Sequence, residues 1–419
     1  MSLSADRIRI VVTGIGAISP LGHTADENWA SLLAGRSGIG LITQFDSSAM
    51  PVHIAGEVKE FDPGKYMSFK EARRISRASQ LIIAAARMAL ADAGLPEPIP
   101  DGERVGTVIG TGAGGLEIVD RELIVLRTKG FNRVSPFSLT GFLPNMPAHH
   151  VSALAGAKGP ITTVVTACAS GTQAVGDGAE LIRHGRADMV VAGGVEGLIH
   201  ETAIGSFARM SALSMRNDDP THAIRPFDND RDGTVISEGA GVVILERLDH
   251  ALARGAHIYA EISGFATSSD AFHITSPDPQ GAGAVRAMKW ALEDAGVTPE
   301  QIDYINAHGT ATRMNDAMET EAIKQLFGEY AYQVPISSSK SVLGHAMGAT
   351  GTLEAIFCIY ALNEQVAPPT WNYETPDPAC DLDYVPNAPR PATLNTVLSN
   401  SFGMGGQNAC LVIRRFLAE

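Results

Sequence analysis

The sequence predicts an α/β protein built from two similar halves, and three observations lead to that prediction. Short β-branched runs alternate with longer helix-like segments along the whole chain, a pattern typical of layered α/β proteins. A set of short motifs recurs in the same order in both parts of the chain. The length of 419 residues exceeds what one ordinary core requires, so two cores or one large layered unit are expected.

Ten segments have the character of buried strands, because several of them are β-branched runs without polar alternation. They lie at 8–12, 105–109, 161–165, 189–192, 242–246, 258–265, 304–306, 336–338, 396–400 and 409–413. The apolar stretch that begins with the first segment continues to Ile18, but Thr13, Gly14 and Gly16 interrupt it. This interruption predicts a short buried strand followed directly by a turn.

Helices are predicted at 79–93, 170–184, 282–295, 317–327 and 351–363. Gly94 and Gly296 follow two of them, at the position where glycine commonly ends a helix. Strands and helices therefore alternate through both parts of the chain, as the α/β prediction requires.

An internal repeat indicates duplication. Ala-Leu-Ala-Asp-Ala-Gly at 89–94 returns as Ala-Leu-Glu-Asp-Ala-Gly at 291–296. Each copy precedes a Gly-Thr pair, at 110–111 and at 309–310. A small-residue segment that enters a helix follows, at 169–172 and at 349–352. Each half then has a strand that runs into a Gly-Gly pair, at 193–194 and at 405–406. Four features in one order favour duplication over chance similarity of helix ends. We place the halves at 1–255 and 256–419 and expect a site in the cleft that they share.

Composition excludes several classes of protein. Hydrophobic residues make up 45% and charged residues 19%, as in a folded, soluble protein. The net charge of -14 argues against nonspecific nucleic-acid binding, and the longest apolar runs are too short to cross a membrane. The four cysteines are Cys168, Cys358, Cys380 and Cys410. They lack paired CxxC spacing, which predicts a reducing cytoplasm and no zinc site.

Cys168 is the predicted nucleophile. It lies in Thr-Ala-Cys-Ala-Ser-Gly at 166–171, between a predicted strand and a predicted helix. Small neighbours permit a tight turn and leave room for a substrate. Free N–H groups at a helix N-terminus favour a thiolate and can stabilise an oxyanion. The other three cysteines are interpreted as structural.

Two histidines lie in small, glycine-rich settings at strand ends, His308 in Asn-Ala-His-Gly-Thr and His345 in Gly-His-Ala-Met-Gly. Neither spacing matches a metal-binding motif, so we expect no metal. A cysteine with one histidine would suit a protease-like pair. Two neutral imidazole N–H groups can instead hold a thioester oxygen while an enolate develops.

These three motifs, together with Asn400-Ser401-Phe402-Gly403 and Gly405-Gly406, resemble those of the β-ketoacyl-acyl-carrier-protein synthases. The similarity covers nearly the whole chain and is greatest to the elongating type II enzymes of bacterial fatty-acid synthesis. It implies a thiolase-like fold with duplicated βαβαβαββ halves in five α-β-α-β-α layers. It also implies an acyltransferase that forms a homodimer. No cofactor is implied beyond the phosphopantetheine of acyl carrier protein, which carries the substrates.

The resemblance also implies roles for individual residues. Cys168 would take the acyl chain as a thioester, and His308 and His345 would promote decarboxylation of a malonyl-carrier. The carbanion would then attack the acyl-Cys168 carbonyl, with the backbone N–H groups of Cys168 and Met404 forming the oxyanion hole. The remaining matches are Lys340 and Glu354, which would brace the histidines, and Thr310 and Thr312, which would bind the pantetheine arm. Without the resemblance, Lys340 and Glu354 would be interpreted as surface charges.

The acyl pocket departs from the family pattern. Met404 stands where the family usually has a gating phenylalanine, and Ala113 stands where a larger aliphatic residue is common. With Phe207 and Phe402, these residues would line a deeper or wider pocket that accepts long or branched acyl chains. Compensation by neighbouring side chains is the alternative. Ala311, Arg313 and Gln407 also differ from the family and leave the substrate range open.

The carrier protein would dock on a local basic patch, because carriers are acidic and so is this chain. The densest basic segment, at 65–77, supplies Lys65, Lys70, Arg73 and Arg74. A second group comprises Arg127, Lys129 and Arg133. An ordinary solvated helix face is the alternative interpretation.

Other classes of protein fit less well. A thiolase would need a second reactive cysteine near the C-terminal glycines, whereas Cys410 lies inside a predicted strand. A starter-unit condensing enzyme uses Cys, His and Asn, whereas His345 supplies a second histidine here. A non-catalytic chain-length factor lacks the nucleophile. A dinucleotide-binding fingerprint would need a third glycine after Gly14 and Gly16.

Overall fold

The computed structural model describes residues 7–417. The strands are β1 Ile10–Ile18, β2 Ile39–Leu41, β3 Ile54–Gly56, β4 Val105–Gly110, β5 Ile161–Val164, β6 Met189–Glu196, β7 Gly239–Arg247, β8 Ala260–Ser269, β9 Tyr304–Asn306, β10 Ile336–Ser337, β11 Val366–Ala367, β12 Arg390–Pro391, β13 Thr396–Gly403 and β14 Gln407–Arg415. The α-helices are α1 Ala25–Leu33, α2 Phe69–Ala72, α3 Arg77–Asp92, α4 Leu116–Lys129, α5 Ser138–Phe142, α6 Met146–Ala155, α7 Ser170–Arg183, α8 Glu201–Arg209, α9 Leu248–Ala253, α10 Ala282–Ala295, α11 Arg313–Phe327, α12 Lys340–Leu343 and α13 Thr350–Glu364.

The strand order of the main sheet repeats. Ten strands follow the order β5-β4-β6-β7-β1-β8-β14-β13-β9-β10. The first half-sheet (β1, β4, β5, β6 and β7) and the second half-sheet (β8, β9, β10, β13 and β14) therefore share one topology. They meet where β1 pairs antiparallel with β8. In both half-sheets, three neighbouring strands are parallel and the other pairings are antiparallel.

Helices separate and cover the two half-sheets. Helix α3 packs on β1, β6 and β7 of the first half-sheet, and α10 packs on β8 and β14 of the second. Helices α7 and α13 contact strands of both half-sheets and also each other. The layers are therefore α-β-α-β-α, as the resemblance implied. The largest apolar core surrounds α13 and joins both half-sheets.

The first strand corrects a sequence prediction. Strand β1 continues to Ile18, whereas a turn was expected after residue 12. Gly14 and Gly16 do not form a turn. A side chain on either would collide with the backbone carbonyl oxygen of Ala89 or Ala85 in α3. The glycines therefore let the helix approach the strand.

The same contact occurs in the second half. A Cβ atom on Gly264 of β8 would collide with the carbonyl oxygen of Ala291 and lie 2.7 Å from Cβ of Ala295. A Cβ atom on Gly14 would likewise lie 2.7 Å from Cβ of Ala93. Ala93 and Ala295 occupy matching positions in the sequence repeat. The repeat is thus a structural signature of helix-on-strand packing.

The other predicted elements are present, with ends that differ by four residues or fewer. Gly94 and Gly296 have φ angles of 66° and 65°, as helix-ending glycines should. One part of the repeat is not equivalent in three dimensions, because Gly193 lies inside β6 and Gly405 lies in the turn after β13. This Gly-Gly correspondence was therefore wrong.

The proposed domain boundary after residue 255 falls between the end of α9 and the start of β8. The division itself stays a proposal, and residues 1–6 and 418–419 of the two halves lie outside the described residues. No helix within residues 7–417 combines the length and apolar character needed to cross a bilayer.

Replacing Gly16 with alanine should destabilise the fold by about 1 to 3 kcal/mol, because the added methyl group meets backbone that has no room to move. The midpoint of urea unfolding measures the effect. Gly205→Ala is the matched control: it lies in α8 with no atom closer than 4.0 Å to the added Cβ. An unchanged midpoint for Gly16→Ala would contradict the close-packing interpretation.

Candidate active site

Cys168 lies on a tight elbow between β5 and α7. A single 3-10 turn, Ala167–Ala169, connects the two elements, and Ala167 has a left-handed φ of 50°. The Ser170 hydroxyl donates to the carbonyl of Ala167 at 2.7 Å and accepts from the N–H of Thr166 at 2.9 Å. The expected strand–turn–helix arrangement is therefore present, and it holds Cys168 beside a cavity.

Two histidines from the second half reach the thiol. The distance from His345 Nε2 to Cys168 Sγ is 3.0 Å, and His345 Nδ1 lies 3.2 Å from Oγ1 of Thr350. The rings of His308 and His345 are 5.5 Å apart and nearly perpendicular. The N–H groups of His308 and Gly309 each donate to Glu319 at 2.8 Å, which fixes the loop after β9. The fold thus brings together the three side chains that the sequence singled out.

The thiol and two imidazoles also form a potential metal-binding group, since their donor atoms lie within 4.8 Å of one another. Chain spacing could not reveal this, because the three residues come from distant loops. In tetrahedral zinc coordination a sulfur and a nitrogen ligand lie about 3.6 Å apart. The 3.0 Å contact between Cys168 and His345 is that of a hydrogen-bonded pair.

Burial favours the neutral forms of Cys168, His308 and His345. It raises the pKa of the Cys168 thiol to about 11, despite opposing effects of Lys340 and of the Met404 and Cys168 backbone N–H groups. Burial and the charge of Lys340 hold the pKa of His308 and of His345 well below the usual value. Burial therefore opposes the thiolate that the helix N-terminus is expected to favour.

Lys340 and Glu354 form a fully buried ion pair, with Nζ and Oε1 2.6 Å apart. Glu354 also accepts a hydrogen bond from the Ser339 hydroxyl at 3.2 Å. Taken alone, the sequence would have placed both charges on the surface. They are interior because α12 and α13 belong to the central layer of the fold.

A cavity of about 430 Å³ opens beside the thiol. Its lining includes Cys168, His308, His345, Phe207, Phe402, Met404, Thr310 and Thr312. The two threonine hydroxyls lie 3.0 Å apart. Ala113 does not line this cavity; it packs against the apolar cluster that contains Cys168, Phe207 and Met404.

The residues expected to dock a carrier are exposed. Lys65, Lys70, Arg73 and Arg74 surround the short helix α2. The guanidinium of Arg74 lies 4.2 Å from the centre of the Phe137 ring. The four side chains form a basic patch with an apolar neighbour.

Sequence reasoning missed three residues that support the site. Thr350 contacts His345, Glu319 holds the His308 loop, and Glu196 holds two glycine-rich segments. A charged residue that ends an apolar strand, as Glu196 does, is a signal that could have been noticed.

A buried thiol and two imidazoles, brought together from the two halves of a duplicated α-β-α-β-α fold, define a condensing enzyme with a thiolase-like fold. Residues 7–251 match the family described as beta-ketoacyl synthase, N-terminal domain, and residues 259–374 match beta-ketoacyl synthase, C-terminal domain. The chain belongs to the β-ketoacyl synthase family, which confirms the resemblance seen in the sequence.

Curated relatives and solved structures agree. The chain is 47% identical to 3-oxoacyl-[acyl-carrier-protein] synthase 2 of Synechocystis sp., over 98% of this chain and 99% of that protein. It is 46% identical to the protein of the same name from Coxiella burnetii, with the same coverage. A beta-ketoacyl synthase from Burkholderia phymatum and the ishigamide ketosynthase/chain length factor each superpose with a TM-score of 0.91 at 37% identity, covering 98% of this chain and 100% of theirs.

Replacing Lys340 with methionine should raise the pKa of both imidazoles, because a nearby positive charge disfavours the imidazolium form. Histidine-labelled protein, titrated by NMR with single His→Asn variants for assignment, measures the change. The variant should also lose about 3 to 5 kcal/mol of stability, because Glu354 is left buried and unpaired.

The double variant Lys340→Met/Glu354→Gln is the control for that loss. It should recover stability, because no unpaired carboxylate remains, while the imidazole pKa values stay raised. Imidazole pKa values that do not move in either variant would rule out the electrostatic role of Lys340.

Proposed function

We propose that this protein is an elongating β-ketoacyl-acyl-carrier-protein synthase that joins an acyl chain to malonyl-carrier through an acyl-Cys168 thioester. The observation that carries the proposal is the 3.0 Å contact between Cys168 Sγ and His345 Nε2, with His308 in the same cavity. The curated relatives, at 45–47% identity, are named for this activity. They favour fatty-acid elongation over a specialised polyketide pathway.

The first half-reaction acylates the enzyme. Because the thiol and the imidazole are both neutral, the Cys168 proton moves to His345 Nε2 as sulfur attacks the acyl-thioester carbonyl. The N–H groups of Cys168 and Met404 stabilise the oxyanion, and the carrier thiol leaves with the proton. The Thr350 hydroxyl can donate or accept, so it suits either tautomer of His345.

The second half-reaction forms the carbon–carbon bond. Thr310 and Thr312 hold the pantetheine arm of malonyl-carrier. Neutral imidazole N–H groups of His308 and His345 hold the thioester oxygen as carbon dioxide leaves and an enolate forms. The enolate carbon attacks the acyl-Cys168 carbonyl and leaves a β-ketoacyl chain on the carrier. The Cys168 sulfur is released as a thiolate and takes up one proton from the solvent, which restores the neutral thiol. These steps use no cofactor beyond the phosphopantetheine of the carrier.

The acyl chain would lie among Phe207, Phe402 and Met404. Met404 is unbranched and flexible, so it restricts the pocket less than a phenylalanine would. Ala113 adds little bulk at the neighbouring apolar cluster. Both features support acceptance of long or branched chains.

An acyl carrier protein would dock on the basic patch of Lys65, Lys70, Arg73 and Arg74. The protein carries a net charge of -14, so an acidic carrier needs a local region of opposite sign. One solved neighbour, 35% identical with a TM-score of 0.90, is described as a ketosynthase in complex with its type II polyketide acyl-carrier protein. That complex supports the same kind of partner here.

A homodimer would cover the edge strand β5, which pairs only with β4 in the main sheet. Unpaired edge strands and contiguous apolar surface are common features of interfaces. Ile161 on this strand and Val165 just after it are exposed apolar side chains. The four free, buried cysteines suit work in a reducing cytoplasm.

A condensation assay with malonyl-carrier and acyl-carriers of graded length tests the activity, with products read by mass spectrometry. The native protein should form an acyl-enzyme and a β-ketoacyl product, and Cys168→Ala should form neither. Met404→Phe should lower activity toward the longest chains, because it narrows the pocket. A native protein that neither acylates nor condenses any primer would eliminate the elongating function.

Reversing the charge of the basic patch should weaken carrier binding. The double variant Arg73→Glu/Arg74→Glu should raise KM for carrier substrates about tenfold or more and reduce its salt dependence. Activity with small acyl and malonyl thioesters should not change. Arg186→Glu is the matched control, because it lies beyond the far end of α7, about 20 Å from Cys168. Equal KM values for both variants would contradict docking at this patch.

A further inference from the structure

Glu196, the last residue of β6, is a fully buried carboxylate without a basic partner among residues 7–417. Its oxygens accept hydrogen bonds from the N–H groups of Gly112 at 2.7 Å, Gly348 at 3.1 Å and Ala113 at 3.3 Å. The Thr111 hydroxyl adds a fourth at 3.4 Å. Burying a carboxylate without a counter-charge is costly, so four donors are needed to hold it.

The donors come from two segments with different connections. Residues 111–113 follow β4 and end at Ala113, which packs against the apolar cluster that includes Cys168. Gly348 lies on the 3-10 turn Met347–Ala349, directly before Thr350. Thr350 in turn contacts the ring of His345.

The two segments touch each other and the elbow of Cys168. A Cβ atom on Gly348 would lie 2.6 Å from the nitrogen of Gly112. A Cβ atom on Gly171 would lie 2.7 Å from the carbonyl oxygen of Gly348. A shift of the 347–349 turn would therefore move Thr350 and His345 relative to Cys168.

We propose that Glu196 is a positioning residue, which ties the 347–349 turn to the 111–113 segment and so keeps His345 within hydrogen-bonding distance of Cys168. The inference rests on the proposed function, because it assigns Glu196 a part in that same reaction. We call the hydrogen bonds from residues 111–113 and Gly348 to Glu196 the clamp. A carboxylate is required, because a glutamine would turn an NH₂ group toward backbone donors and break one side of the clamp.

The clamp responds to pH near neutrality. Burial raises the pKa of Glu196 to about 7, and hydrogen bonds from Gly112, Gly348, Ala113 and Thr111 oppose that rise. The Cys168 thiol is the titratable group that interacts with it, and the Glu196 charge raises the pKa of that thiol. By charge alone, ionised Glu196 would slow alkylation, so a rise in reactivity through pH 7 would report the hydrogen bonds of Glu196 and not its charge. The other groups around Glu196 are backbone amides and the Thr111 hydroxyl. As pH falls through about 7, protonation removes an acceptor and the turn loosens. Reactivity that depends on the clamp is therefore present above this pH and lost below it.

The experiment compares Glu196→Gln and Glu196→Asp with native protein, using two measurements. The first is the rate of Cys168 alkylation by iodoacetamide between pH 5.5 and 9, read by mass spectrometry. The second is steady-state condensation. Glu196→Gln should lower kcat about tenfold or more with little change in KM, and should lose the step near pH 7 in the alkylation profile. Glu196→Asp keeps a carboxylate, so it should retain that step and recover part of kcat.

Glu57→Gln is the matched control. Glu57 is also buried and accepts from the N–H groups of Thr43 and Gln44, but it has no contact with the two segments. This variant should keep the native kcat and alkylation profile, even where its unfolding midpoint falls as far as that of Glu196→Gln. If Glu196→Gln does not fold, the native profile and Glu196→Asp decide the question.

Two results would overturn the inference. One is a Glu196→Gln protein with native kcat and a native alkylation profile. The other is an alkylation profile without a step near pH 7 in both native protein and Glu196→Asp. Alkylation needs no carrier substrate, so loss of the step in Glu196→Gln would support the clamp even if no condensation were detected. Failure of the proposed function is therefore distinguishable from failure of this inference.

Discussion

The catalytic arrangement depends on one close crossing in the central layer, where the N-terminal ends of α7 and α13 meet. Gly171 lies at the crossing in one helix and Gly351 in the other. A Cβ atom on Gly171 would lie 2.7 Å from the carbonyl oxygen of Gly348, and one on Gly351 would lie 2.5 Å from the nitrogen of Thr172. Because neither glycine has a side chain, the turn before each helix lies against the other helix. That proximity brings Cys168 of the first half to the histidines of the second.

The crossing also explains the electrostatics of the site. A thiol and two imidazoles packed at the centre of a five-layer fold lose most of their hydration, so each is held in its neutral form. Lys340 and Glu354, a nearby pair of opposite charges, are themselves buried against each other. In the proposed reaction, charge appears only as the reaction proceeds, and backbone N–H groups and imidazoles would receive it. The site's chemistry is a consequence of the packing.

Local sequence patterns predicted the fold class, the strands and helices, and the elbow of Cys168, because each depends on neighbours along the chain. They failed where distant segments decide. Gly14 and Gly16 predicted a turn, because nothing in the sequence of their own strand shows that a helix packs on it. The predicted thiolate took account of the helix terminus but not of burial. Lys340 and Glu354 were recognised as site residues only through the family resemblance. Glu196, Glu319 and Thr350 were missed, because their contacts exist only once the layers of the fold are assembled.

The turn Met347–Ala349 is the counterpart of the nucleophile's elbow in the other half. Met347 has a left-handed φ of 41°, as Ala167 has 50°, and Gly348 stands where the first half has Cys168. A side chain at Gly348 would strike the backbone of residues 111–112. The two halves are therefore unequal, because the first carries Cys168 at this position and the second carries a glycine against which residues 111–112 pack. This close packing leaves the second half no room for a matching thiol.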